Sequence, residues 1–191
     1  MNTMWASALL VLGWAPMLFG IFARHGSRLP PAGSPVSRTK ADTTSTDRML
    51  LGATWVLCIA VTALALIDLH RAPDPTRRAV GVALFLAAMA AWSWARAAQG
   101  AHFAQLARPP RALVTQGPYS FVRHPMYLAT AIGTSGQAFA AGSLRAAAVW
   151  FALILVLAVR SYSEELLLRT AFGSAWNEYA RHSVGFLRPR P

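Results

Sequence analysis

Apolar runs of membrane-spanning length alternate along this chain with short stretches rich in charge, Pro and Gly. Residues 1–23 carry no charged side chain, and Arg24 and Arg28 follow them. About 20 apolar residues suffice to cross a hydrocarbon core of ~30 Å, so a first helix is predicted over 4–22. No basic residue precedes the run, which is not the pattern of a cleaved signal peptide. Residues 24–47 have no apolar period and abound in Pro, Gly, Ser and Thr, the composition of an exposed loop. A second apolar run covers 49–67; Asp68, His70 and Arg71 close it, and Pro73 and Pro75 prevent its continuing as helix. The third, 79–95, is dense in Ala, which lets helices approach closely in lipid, with Trp92 and Trp94 placed for the interface. Residues 125–144 are uncharged but softened by Thr, Ser, Gln and Gly, which predicts a helix packed against protein rather than lipid. Residues 146–159 are strongly apolar and short, and Gly142-Ser143 between the two runs predicts a tight helical hairpin. A final amphipathic helix is expected over 163–182, with Phe172, Trp176 and Tyr179 on one face.

Composition turns this pattern into a membrane protein. Of 191 residues, 55% are hydrophobic and 13% charged, about half the ~25% charge of soluble domains. Lys and Arg number 18 against 7 Asp and Glu. They lie between apolar runs rather than in one patch, which points to anionic lipid headgroups as partners and away from nucleic acid. The first loop, third loop and tail hold most of the basic residues. The second loop and hairpin turn hold only Arg71, Arg77, Arg78 and Arg145. The positive-inside rule then puts the N-terminus outside and the C-terminus in the cytoplasm, with the third loop and tail on one side. The reading is an all-α integral membrane protein of about five transmembrane helices, multi-pass, in a bacterial inner membrane. It forms one domain, with three helices in 1–98 and a cofactor-binding catalytic half in 99–191. The lone Cys58 excludes a disulfide framework and a cysteine metal site. His25, His70, His102 and His182 are scattered and suggest no metal. His102, in the third loop, lies nearest the candidate pocket. No Gly-rich nucleotide motif is present.

Two segments concentrate the chemistry: GPYSFVRHPMY over 117–127, and EELLL over 164–168 followed by Phe172-Gly173. Gly117-Pro118 is a turn signal, and Pro125 suits the first position of a helix. That helix start, beside Arg123 and His124, is suited to an anion; the plainer reading is an anchored helix end at the membrane surface. Glu164 and Glu165 follow directly on an apolar helix, where acids are costly and usually functional. Dipole complementarity and a Glu165–Arg169 pair would also account for them. Taken together, a donor-rich cationic pocket and a carboxylate pair on one membrane side would fit a zwitterionic amino-acid group.

The ordered set GPY-SFV-RHP-MY, EE-LLL, FG-SAWNEY and VGFLRP resembles the isoprenylcysteine carboxyl methyltransferase family, which groups with the phospholipid methyltransferases. The resemblance covers roughly 113–189. It implies a membrane enzyme of about five helices using S-adenosyl-L-methionine. It further implies that Gly117, Tyr119, His124, Pro125 and Tyr127 shape the cofactor site and that Glu164 and Glu165 hold the cofactor's amino group. Arg123 matches the family Arg that would orient an acidic substrate group, and Arg123 and Glu165 are the residues expected nearest the chemistry. Two positions depart from the pattern: Ala129 stands where Gly is usual, and Trp176 where Tyr is usual. The expected reaction is methyl transfer to a lipophilic or membrane-borne acceptor. Phospholipid or thiol methylation, a nucleotide-dependent reductase on a similar helical scaffold, and a non-catalytic membrane scaffold are the alternatives. Neither the acceptor, nor O-, N- or S-methylation, nor the oligomeric state follows from the sequence.

Overall fold

The computed structural model describes residues 2–22, 45–71, 74–100 and 112–186. The loop expected from residue 24, His25, His102 and the end of the VGFLRP segment fall outside them. The helices are α1 (Thr3–Leu12), α2 (Ala15–Phe22), α3 (Ser45–Leu69), α4 (Pro75–Gln99), α5 (Pro125–Ala141), α6 (Leu144–Phe172) and α7 (Ser174–His182), with a 3-10 turn at Gly117–Ser120. Of these, α3, α4 and α6 are long and apolar enough to cross a membrane.

Several element boundaries differ from the sequence reading, each for a local reason. The first helix is broken at Gly13-Trp14. Gly13 lies directly on the Phe85 ring, and the Trp14 indole N–H reaches Thr62 Oγ1 at 3.2 Å. Pro16 then lacks a backbone donor in the first turn of α2. Helix α3 begins at Ser45, inside the stretch read as loop, with Asp47 in its first turn where the helix dipole favours an acid. Pro75 does not merely end a run: it opens α4, whose Asp74 cap accepts from the Thr76 N–H at 2.8 Å. Trp92, expected at the interface, is buried with Met17 and Ala129, whereas Trp94 is exposed.

The largest difference lies at the C-terminus. No helix starts at 163. Helix α6 runs unbroken through Arg160, Glu164 and Glu165 to Phe172, and the break falls at Gly173, whose φ of 52° a side chain would resist. Charge on a helix moves it toward water but does not end it. Phe172 therefore lies on α6, while Trp176 and Tyr179 share α7, their rings edge to face at 5.5 Å.

The hairpin between α5 and α6 is formed as read. Gly142 caps α5 at φ 61°, and the Ser143 N–H bonds the Ala138 carbonyl at 3.1 Å. Ser143 then caps α6 by accepting from the Ala146 N–H, while its hydroxyl donates to Asp68 Oδ2 at 2.6 Å. Arg145 pairs with the same carboxylate. The C-terminal end of α3 is thereby tied to the hairpin.

Helix α5 is the inner helix of the bundle. Its buried side is Ala129, Thr130, Ala131, Gly133, Thr134, Gly136, Gln137 and a run of small residues after them. Packing against α4 is nearly backbone on backbone: a Cβ added at Gly81 would stand 2.5 Å from the Gly136 carbonyl oxygen and 2.6 Å from the Ala140 nitrogen. This is the close approach that small residues permit in a membrane bundle. The softness of 125–144 in sequence thus reflects a helix enclosed by protein.

Candidate active site

The turn before α5 places the first chemical segment. After the 3-10 turn at Gly117–Ser120, Val122 pairs with Val184 of the tail. The Arg123 N–H reaches the Val184 carbonyl at 2.9 Å, and the Val184 N–H reaches the Phe121 carbonyl at 2.8 Å. The Tyr179 hydroxyl donates to the Tyr119 carbonyl at 2.8 Å, so α7 is fastened to the same turn. Burial pushes the Tyr179 phenol up to about 12, which keeps it a donor at ordinary pH. The turn before α5 and residues 174–184 are therefore one folded unit at one end of the bundle.

Against that unit, α6 presents both glutamates. Arg123 Nη1 donates to Glu165 Oε1 and Oε2 at 3.2 and 3.3 Å, and Nη2 donates to the Ala180 and Ser183 carbonyls at 3.3 and 3.2 Å. Its side chain is only 4% exposed. His124 sits between the two acids, Nε2 at 3.3 Å from Glu165 Oε1 and Nδ1 at 3.6 Å from Glu164 Oε2. Burial by itself pushes the His124 imidazole down, but hydrogen bonds to Glu164 and Glu165 and their charges outweigh burial and hold its pKa above the ordinary value. Tyr127, one turn into α5, lies parallel to the His124 ring at 5.5 Å and gives its hydroxyl to Glu164.

The residues picked from sequence thus gather in one place, and two adjacent glutamates take different surroundings. Glu165 turns to Arg123 and His124 rather than to Arg169. Glu164 turns to Tyr127, His124 and an open cleft. Its carboxylate is the more exposed, 28% against 17%. Gly117, at φ 61°, lies under Trp94 and Ala98 of α4 and sets the approach of the turn. Pro125 occupies the first position of α5. Tyr119 is buried, and among the described residues its hydroxyl meets no partner. Burial pushes that phenol well up, and the Glu164 charge adds to the effect. The two departures from the family pattern sit in packing: Ala129 against Met17 and Trp92, Trp176 under α7.

Sequence reasoning passed over Arg160, counting it only as a basic residue of the tail. It lies on α6 one turn before Glu164, with a side chain 10% exposed. Nη1 donates to Thr54 Oγ1 of α3 at 3.2 Å, Nη2 stands 3.9 Å from Glu164 Oε1, and the guanidinium lies 5.3 Å from the Tyr127 ring centroid. The signal was available: an Arg inside an apolar run, at i,i+4 from an acid, is a functional candidate by default.

Comparison with known proteins meets this geometry. Residues 76–175, just over half of the chain and reaching from the first turn of α4 into α7, match the phospholipid methyltransferase family. The chain is also 38% identical over 82 residues to the cobalt-zinc-cadmium resistance protein CzcN of Cupriavidus metallidurans. That match covers 41% of this chain and 37% of the relative, so the chain spans little more than a third of it.

Proposed function

The chain belongs to the phospholipid methyltransferase family, and from that premise we propose that it transfers a methyl group from S-adenosylmethionine to a lipophilic, membrane-borne acceptor, in the manner of an isoprenylcysteine carboxyl methyltransferase. The observation that carries the reading is the convergence of Arg123, His124 and Tyr127 with Glu164 and Glu165 at one end of the bundle.

The residues fit such a donor. The buried Tyr119 hydroxyl has a hydrogen bond to give, and a buried donor left unmade is costly. Glu164 presents a half-open carboxylate suited to an ammonium group. Held by Glu164 and Tyr119, such a donor would supply an already activated methyl group on its sulfonium. The protein has then to align acceptor and methyl and to exclude water, which is worth roughly 7–11 kcal/mol when orientation is near ideal. Arg123 and His124 do this indirectly, by fixing Glu165 and the tail. Gly117, Pro125 and the Val122–Val184 pairing hold the turn that carries them.

Both ring nitrogens of His124 face glutamates, so this imidazole is committed rather than poised as a base. That favours acceptors which arrive as anions, a carboxylate or thiolate, over those that must lose a proton. The phospholipid reading keeps its support from the matched family, and the two separate by product. Membranes containing the protein are incubated with methyl-labelled donor, and the labelled lipid is identified as ester, thioether or amine. In detergent the protein is expected to bind S-adenosylhomocysteine, and Glu164→Gln or Glu165→Gln is expected to weaken that binding more than tenfold. Unchanged affinity in both variants would remove the assigned site.

A further inference from the structure

One cation in this region faces the same opening as Glu164. The cleft between the start of α3 and the cytoplasm-proximal part of α6, as the charge pattern orients it, is lined by Asp47, Leu50, Arg160, Ser163 and Glu164.

The charges in and around it divide sharply. Arg123 is spent on Glu165 and two carbonyls and is nearly inaccessible. His124 is held between the glutamates. Arg160 stands in the cleft wall, one helical turn from Glu164, at a loose 3.9 Å. Thr54 anchors one arm of its guanidinium and the Tyr127 ring backs it, so the head is preorganised rather than mobile. Residues at i and i+4 of a helix are neighbours. Arg160 and Glu164 therefore offer a cation and an anion side by side on one face of α6.

On the methyl-donor reading above, we propose that Arg160, rather than Arg123, binds the carboxylate of the donor's amino-acid group, with Glu164 taking its ammonium. The loose pair opens, and each member exchanges its partner for the matching charge on the ligand. A planar guanidinium can meet a carboxylate with two parallel hydrogen bonds.

The test compares two ligands by calorimetry on the whole protein in detergent: S-adenosylhomocysteine, and its decarboxylated analogue, in which the amino-acid end is a plain aminopropyl group. Wild type is expected to prefer the carboxylated ligand by more than tenfold. Arg160→Met is expected to lose that preference while binding the analogue as wild type does. Arg160→Lys, which keeps the charge without the planar fork, is expected to retain a reduced preference, and it serves as the reading should the Met variant fail to fold. Equal weakening of both ligands by these variants would show a structural residue and overturn the assignment. A preference preserved in the Met variant would do the same. Wild type that binds neither ligand would instead refute the methyl-donor reading itself.

Discussion

At the scale of single residues, the two glutamates show how much a sequence can say. Two adjacent acids next to an apolar helix are legible as a candidate site, because their cost there calls for compensation. What each one does was not legible. Neighbours on a helix point about 100° apart, and only the fold decides which of them meets Arg123. Arg160 was legible through its i,i+4 spacing to Glu164, but its other partners Thr54 and Tyr127 come from helices that no local spacing connects to it. His124 carries a pH consequence that can be measured. Its native pKa is raised above the ordinary 6.5 by the flanking glutamates. A group raised on folding contributes stability that is fully present below its unfolded value and is lost as pH rises through its native value. The stability difference between wild type and His124→Gln, from thermal unfolding in detergent, should therefore be largest below about pH 6.5 and shrink toward alkaline pH. A difference that grows with rising pH would mean that His124 is neutral in the folded protein.

At the scale of elements, the apolar runs located the helices well, and glycine decided the boundaries. The Gly142-Ser143 hairpin was readable because both turn and cap chemistry are local. The extent of α6 was not, since the charges at 160–165 suggested a new amphipathic helix while the break lay at Gly173. The split between α1 and α2 was hidden because its cause, the Phe85 ring against Gly13, comes from α4. The same distinction between local and packed glycine gives a contrast in stability. Gly81 in α4 abuts the backbone of α5, with an added Cβ 2.5 Å from the Gly136 carbonyl oxygen. That neighbour is backbone and cannot swing aside, so Gly81→Ala must push α4 and α5 apart along their tightest line. Overpacking costs typically about 1–3 kcal/mol, and the upper end or beyond is expected here. Gly52 in α3 has nothing within 4 Å of its added Cβ. Gly52→Ala should be neutral or stabilising, by up to about 1 kcal/mol, because it removes backbone freedom from the unfolded chain. Chemical or thermal unfolding of both variants checks the pair. Similar effects at the two positions would mean that α4 and α5 are not packed this closely.

For the whole molecule, the polar groups fall into two layers. One holds Asp68, Ser143 and Arg145, where α3 ends and the hairpin turns. The other holds Asp47, Arg160 and Glu164 with the turn before α5 and α7. Along α6, Leu144 and Glu164 are separated by about 30 Å at ~1.5 Å per residue, and Asp47 to Asp68 along α3 is about the same. That matches a hydrocarbon core of ~30 Å. The acids of the site then lie at the membrane boundary rather than at its centre, where a charged ligand can arrive from water and a lipid tail can stay in the bilayer. The site's location thus follows from helix length alone, given the locked hairpin at the other end. The positive-inside rule, applied to the basic residues of the first and third loops and the tail, predicts that the site layer faces the cytoplasm. A labelling experiment decides both points. In a Cys58→Ala background, Leu144→Cys at the hairpin and Ser174→Cys at the start of α7 are treated with a membrane-impermeant maleimide, on intact cells and on inverted vesicles. Leu144→Cys should react only from outside and Ser174→Cys only from the cytoplasmic face. Exchanged reactivity would keep the two layers and reverse the protein, placing its site where a cytoplasmic methyl donor could not reach it. Reaction of both positions from one face would contradict the two-layer arrangement, because a helix as long as α6 would then have to lie along the membrane instead of crossing it.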